Sequence, residues 1–266
     1  MRPPNGLPFW SAPAGAIPMS RPDLSRVTMS YVSMRRAAIM IAAATLAACA
    51  TTQRPAMSPS PSGSATSQDD WRSLFDGRTL AGWHVYHESG TPKNWAVVDG
   101  TIQRMADGGD LVTDEMYANF ELELDWKVAP GGNSGIIYRV ADNTDETYET
   151  GPEMQVLDDA RHPDGKNPLT SAGSDYGLYP APRGVVKPVG EWNHVRLVVN
   201  GNHVEHWLNG VKVVEYELHS PEWKAKVAAS KFAQWPGYGM SPTGRIALQQ
   251  HGAQVNYRNI RIRVLP

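Results

Sequence analysis

One cysteine in 266 residues excludes a framework of internal disulfides, so the folded part of this chain must be held by packing and hydrogen bonding alone. Charge of one sign is also lacking. The 25 basic and 27 acidic residues leave a formal net charge of -2, and no Lys/Arg cluster appears along the chain. That balance provides no broad positive field for phosphates, so nucleic acid is not expected as a partner. The Ala-rich apolar stretch that starts at Ala37 is too short to span a bilayer. No internal repeat, phosphate-binding glycine loop or G-x-S-x-G elbow is present, and a serine nucleophile has no support. Helical signals are scarce too: only Pro221 to Phe232 runs without turn residues.

The single cysteine has a context of its own. Met34-Arg35-Arg36 precedes the apolar run, which ends in Leu46-Ala47-Ala48-Cys49. A positive start, a short apolar stretch and small residues before a cut are the ingredients of export. The pattern resembles a bacterial lipoprotein signal, which implies that Cys49 is lipidated and becomes the first mature residue. An ordinary signal peptide with an incidental cysteine is the plainer alternative. Residues 34–48 are thus read as the signal peptide. Residues 1–33, rich in proline and without apolar periodicity, are read as a disordered, non-native upstream extension with Met34 the true start. Residues 49–69 are read as the lipidated cysteine with a Ser/Pro-rich tether that cannot bury a core. The expected location is exported and lipid-anchored to the bacterial membrane, periplasmic or at the cell surface.

Residues 70–266 carry the folded domain. A hydrophobic content of 41% is enough for one sizeable core. From Phe120 to Val128 five apolar positions alternate with four charged ones, which predicts a half-buried strand. Pro130-Gly131-Gly132-Asn133-Ser134-Gly135 is turn chemistry before the extended run Ile136 to Val140, and a hairpin is predicted there. His194 to Val199, then His203 to Leu208 and Val211 to Tyr216 about Asn209-Gly210, predict further strands. Ile260, Ile262 and Val264 alternate with arginines and close the domain. Many short strands separated by turn signals predict an all-β fold, an antiparallel β-sandwich with long loops over a concave polar face.

Two strand-like runs carry candidate chemistry. In Gly151 to Asp158, period-two alternation puts Glu153 and Gln155 on one face and Met154 and Val156 on the other. In Gly244 to Gly252, Ile246 and Leu248 share the apolar face while Gln249 and His251 share the polar one. An acid, amides and an imidazole suit the floor of a sugar cleft, although a strand carboxylate is most often just a solvated face. Glu153 precedes a long Gly- and Pro-bearing insertion, Asp158 to Glu191, of the kind that carries binding sites. Its Tyr176 and Tyr179 either stack on a sugar ring or pin the loop to the core. The second insertion, Ser220 to Pro242, has Trp223, Phe232, Trp235 and Tyr238 and the same two readings. His84 with His87, and His203 with His206, are spaced so that a strand would place each pair on opposite faces, which argues against shared metal ligation. Asp142 to Glu146 lacks the fixed glycine and final glutamate of an EF-hand loop and reads as a solvated acidic turn.

The runs Trp71 to Gly77 with Leu80 to Trp83, Ser134 to Arg139, Glu153 to Asp158, Gly190 to Asn193, Asn209-Gly210, and Leu248 to Gly252 ending in Tyr257 to Ile260 together resemble the 3-keto-disaccharide hydrolase domain family, in order, from about Trp71 to Leu265. The resemblance implies a concanavalin A-like, laminarinase-like sandwich or jelly roll. It also implies an enzyme for glycosides already oxidised at C3, which it cleaves by removing the C2 proton, eliminating the C1 substituent and hydrating the product. A C3 ketone acidifies the C2–H, so one base and a stabilised enolate replace the paired carboxylates of ordinary glycosidases. On this reading His251 is the first choice of base and Glu153 the second proton-transfer group, since an imidazole titrates near neutrality and burial raises a carboxyl. Arg139, Gln155, Asp158, Tyr176 and Gln249 bind the substrate, with Arg139 the cation for enolate charge. Asp158 falls on the apolar side by strict counting and reaches the site only if the strand ends or bulges. Gln250 stands where the family pattern has an acidic residue. No cofactor is expected, and the partner is an oxidised di- or oligosaccharide or glycoside. Two alternatives stand beside it: a lectin-like surface lipoprotein without catalysis, and an ordinary glycoside hydrolase using Glu153 with Asp158.

Overall fold

The computed structural model describes residues 70–266. The upstream extension, the signal segment with Cys49 and the tether therefore lie outside the described residues. In chain order the strands are β1 (Arg72–Ser73), β2 (Trp83–Val85), β3 (Trp95–Val98), β4 (Thr101–Arg104), β5 (Leu111–Thr113), β6 (Phe120–Val128), β7 (Asn133–Val140), β8 (Glu153–Leu157), β9 (Asn193–Asn200), β10 (His203–Leu208) and β11 (Val211–Glu217). Helix α1 (Pro221–Ala228) follows, then β12 (Arg245–Leu248) and β13 (Val255–Val264). They form two antiparallel sheets. The larger runs β11-β10-β9-β6-β13-β4-β3 with β1 on β13, and the smaller runs β2-β5-β12-β7-β8. The antiparallel sandwich expected from the strand pattern is present.

Strand β6 follows its alternation. Phe120, Leu122, Leu124 and Trp126 are fully buried between the sheets, each contributing roughly 2 kcal/mol of apolar burial. The intervening acids face outward and are matched across strands by basic partners. Glu121 pairs with Arg196 and Arg263, Glu123 with Arg261, and Asp125 with His194 at 2.9 Å and Arg258 at 3.3 Å. Asn209-Gly210 makes the predicted two-residue turn between β10 and β11, with positive φ at both residues (50° and 83°) and Leu208 opposite Val211. In α1 the Ser220 hydroxyl caps the first turn by accepting from the Trp223 N–H at 3.1 Å, and Pro221 occupies the first helical position.

The hairpin predicted about Pro130 to Gly135 is not formed. Strand β6 pairs with β9 and β13 in the larger sheet, whereas β7 pairs with β8 and β12 in the smaller one. The Gly-rich turn carries the chain from one sheet to the other. It is tied by the Gly132 N–H donating to the Ala129 carbonyl at 2.8 Å and the Gly131 N–H to the Asp158 carboxylate at 2.7 Å. Turn residues encode a reversal, but the neighbour of the returning strand depends on where its apolar face finds cover.

The two sheets are joined by more than hydrocarbon. The Tyr138 hydroxyl of β7 meets His206 Nε2 of β10 at 3.0 Å and the Tyr216 hydroxyl of β11 at 2.6 Å, all three fully within the interior. The other ring nitrogen of His206 lies 3.1 Å from the Gly173 carbonyl. Strands β7 and β8 are buried along their entire length, because the insertions cover the face that does not meet the larger sheet.

Candidate active site

Sheet order brings the two chemistry-bearing runs together. Strand β7 lies between β12 and β8, pairing Gly135 with Gln155 and Ile137 with Glu153, while the Gln249 N–H donates to the Gly135 carbonyl at 2.9 Å. Met154, Val156, Ile246 and Leu248 point into the core as their alternation requires. Glu153, Gln155, Gln249 and His251 therefore share the opposite face. Gly135 makes room there: a Cβ at this position would lie 2.1 Å from Glu153 Oε1.

These side chains line a cavity of about 310 Å³ with Asn133, Tyr148, Tyr176, Lys231 and Trp235. Its floor comes from β7, β8 and the residues after β12. Its rim comes from the segment after the acidic turn and from both insertions. Glu153 is the single carboxylate in the lining. It is 6% exposed, and burial pushes its carboxyl up to about 8, assisted by Asp110 and Asp164 and opposed by Lys231. At neutral pH this group is mainly protonated and able to donate. The Lys231 ammonium sits 4.4 Å from the centre of the Tyr176 ring. The Tyr176 phenol, 3.4 Å from Asp164, is pushed up to about 12 by burial and stays neutral. Asn133 Oδ1 is buried without a hydrogen-bond partner, which leaves one unmet acceptor in the lining. Gln155 is partly committed, with its amide N–H donating to the Thr170 carbonyl at 3.3 Å and its Oε1 accepting from the Val156 N–H at 3.2 Å.

His251 stands exposed at the rim, on a loop held by a buried acid. The Asp110 carboxylate accepts from the Gln250 N–H at 2.7 Å and from the Thr147 hydroxyl, and burial pushes it up to about 6. Gln250 itself turns away from the cavity, its amide reaching Asp107 at 3.2 Å. The position where the family pattern has an acid thus faces the loop rather than the cavity.

Of the residues expected to bind substrate, Gln155, Tyr176 and Gln249 line the cavity, whereas Arg139 and Asp158 do not. Arg139 sits at a bulge where the register between β7 and β12 shifts, with φ at 56°, and its guanidinium is buried against the Gly201 carbonyl of the larger sheet. The extra residue of the bulge inverts the alternation and removes this side chain from the cleft. Asp158 keeps to the apolar side that counting assigns it and binds the turn at Gly131 and the Ala160 N–H. Tyr179 stacks on Tyr216 in the core at 4.7 Å, so it pins its loop. Trp223, Phe232 and Tyr238 also pack in the core, leaving Trp235 as the aromatic of the second insertion that reaches the cavity.

Sequence reasoning passed over Asn133, Tyr148, Lys231 and Asp110. Asn133 is hidden in a run of turn residues, and a lysine inside an irregular insertion carries no periodic signal. As for metals, Asp142 of the acidic turn is committed to Arg245 at 2.8 Å. His203, Glu205 and Glu215 cluster on the larger sheet with metal-ligating atoms within 4.8 Å of one another. Lys212 already bridges the two carboxylates, at 3.2 and 2.6 Å.

Fold and cavity define an antiparallel β-sandwich whose polar cavity is carried by the smaller sheet and rimmed by loops. Residues 70–263 match the family described as the 3-keto-alpha-glucoside-1,2-lyase-like domain, and the chain belongs to that family. It is 37% identical over 229 residues to a 3-keto-disaccharide hydrolase of Bacteroides thetaiotaomicron, covering 74% of this chain and 79% of that protein. A crystal structure from Parabacteroides distasonis, named as a candidate glycosyl hydrolase, superposes with a TM-score of 0.70 at 34% identity, covering 74% of this chain and 94% of the other. A second from the same organism gives 0.58 at 33% identity, covering 73% and 99%.

Proposed function

We propose that this protein cleaves 3-keto-glycosides by 1,2-elimination followed by hydration. The observation that carries the reading is the convergence of Glu153 and His251 on one cavity in which no second carboxylate takes part. A glycosidase of the ordinary kind needs two carboxyl groups flanking the bond, and Asp158 is engaged elsewhere. In the proposed reaction His251 takes the proton from C2, and the C1–O bond breaks to leave a C1–C2 double bond conjugated with the C3 ketone. Glu153, kept protonated by burial, delivers a proton to the departing oxygen. Lys231 takes the place that Arg139 held in the sequence reading and supplies positive charge for the enolate oxygen. Asn133 and Gln249 offer polar atoms to the sugar hydroxyls. Water then adds its oxygen at C1 and a proton at C2, and the free 3-keto sugar leaves.

The same reading takes the protein as exported and anchored through Cys49. The basic, apolar and small-residue order before that cysteine supports it. Intact-mass analysis of the membrane-extracted protein would exclude the anchor if the mature chain begins elsewhere than at Cys49.

The deciding assay incubates the purified protein with a 3-keto-glucoside and with its unoxidised parent. Alcohol released from the keto sugar alone is the expected result. Release from the parent would make it an ordinary glycosidase, and binding without release would make it a lectin.

A further inference from the structure

Next to the cavity, the second insertion leaves a separate groove of about 290 Å³. Beneath it lies a buried aromatic stack in which Phe232 and Tyr238 lie 4.1 Å apart and 18° from parallel, with Trp223 beyond. Val227, Ala233, Pro236 and Met240 extend the walls, and Lys224 is the one charged residue among them. Met240 is 53% exposed, one of few large apolar side chains so placed among the described residues. A concave apolar surface beside a polar cavity suits the apolar part of a ligand held in that cavity. Trp235 lines both hollows, and its ring meets Tyr148 of the cavity edge-on at 5.5 Å.

The two hollows therefore differ in chemistry while sharing a wall. A sugar ring finds acid, amide and imidazole groups in the cavity. A substituent leaving C1 across Trp235 finds the hydrocarbon of Val227, Ala233, Pro236 and Met240, with Lys224 the one charged group to meet the hydroxyls of a second sugar. Burying those hydroxyls without partners would cost binding energy, whereas an alkyl or aryl group gains it. We propose that this groove is the leaving-group subsite, and that it selects glycosides whose C1 substituent is an apolar alcohol over those carrying a second hexose. The proposal rests on the glycoside-cleaving reading above.

The full-length protein is assayed with 3-keto-glucosides of methanol and of 2-phenylethanol, alcohols of similar acidity, and with a 3-keto disaccharide. The expected kcat/KM is at least tenfold higher for the phenylethyl glycoside than for either of the others. Ala233→Glu and Met240→Glu alter exposed groove positions outside the cavity. Each is expected to abolish that preference and to leave turnover of the methyl glycoside within twofold of wild type. In parallel, calorimetric titration with unoxidised methyl and 2-phenylethyl glucosides reads the groove without turnover. Equal kcat/KM across the series, preference for the disaccharide, or a phenylethyl advantage that persists in both variants overturns the groove and leaves the proposed reaction standing. If no 3-keto-glucoside reacts, yet the phenylethyl glucoside binds tenfold more tightly than the methyl one and Ala233→Glu removes the gain, the reaction falls and the groove stands as a binding subsite for an apolar C1 substituent, not as a leaving-group subsite. Equal binding of the two glucosides together with no turnover overturns both.

Discussion

Glu153 carries on a strand the same carboxyl that Glu123 carries, yet the two behave differently because of what covers them. Glu123 meets Arg261 at the outer surface of the larger sheet, whereas Glu153 is enclosed by the insertions, with Gly135 opening space for its oxygens. Burial disfavours its ionised form, so its folded value of about 8 lies above the ordinary 4.5. In the proposed reaction it can donate only below about pH 8, and kcat/KM on a 3-keto-glucoside is expected to fall as pH rises through that value. In Glu153→Gln the same rate is expected to drop about 10²–10⁴-fold, and that basic limb to disappear. The raised value also has a stability consequence. The folded form holds a proton that the unfolded chain has released between pH 4.5 and 8, so Glu153 destabilises the fold increasingly as pH rises through that range. The glutamine variant is therefore expected to be more stable at pH 9, on the order of 5 kcal/mol, by thermal unfolding. Loss of activity with unchanged or lower stability would contradict this account of the buried acid.

At the scale of elements, alternation was legible wherever a strand has one wet face. Strands β6, β9, β10 and β13 were each visible in the sequence, and so was the Asn209-Gly210 turn. Alternation also placed Glu153 with Gln155 and Gln249 with His251. It failed at Arg139, because a bulge is a local insertion of one residue that period-two counting does not register. It failed again at the Gly131-Gly132 turn, where the strand after the reversal crosses to the other sheet. After that crossing the Tyr138 hydroxyl meets His206 and Tyr216 on the facing sheet. Tyr138→Phe leaves both partners buried with an unmet hydrogen bond, and a loss of about 1–3 kcal/mol is expected from the shift in urea midpoint at constant m-value. A stability within about 0.5 kcal/mol of wild type, taken as m times the midpoint shift, would mean that apolar packing alone joins the sheets.

For the molecule as a whole, the interior is where pH acts on stability. Burial lowers His206 to about 4, so the folded state keeps this ring neutral while the unfolded chain begins to protonate it near pH 6.5. Its contribution is complete above pH 6.5 and is lost as pH falls toward 4, an effect of about 3 kcal/mol. Glu153 and Asp110, whose folded values are raised, act in the opposite direction over overlapping ranges. The comparison that isolates His206 is therefore against His206→Gln. The melting-temperature advantage of wild type over this variant is expected to narrow steadily from pH 7 to pH 4.5. An advantage independent of pH would mean that the ring takes up its proton at the same pH in the folded and unfolded states, and that burial does not depress it.

Composition and periodicity by themselves determined the class: a disulfide-free antiparallel sandwich whose strands have one apolar and one polar face, with an acid, amides and an imidazole on two separated strands. Those properties are local, set by the spacing of side chains along an extended backbone. Only the tertiary structure decided which polar groups meet, because that depends on sheet order and on how the insertions fold. Placing β7 between β12 and β8 joined Glu153 to His251, the bulge turned Arg139 away, and the second insertion brought Lys231 and Trp235 over the cavity. No spacing along the chain encodes those contacts, since each is made by segments far apart in sequence whose approach is fixed by the burial of their opposite faces.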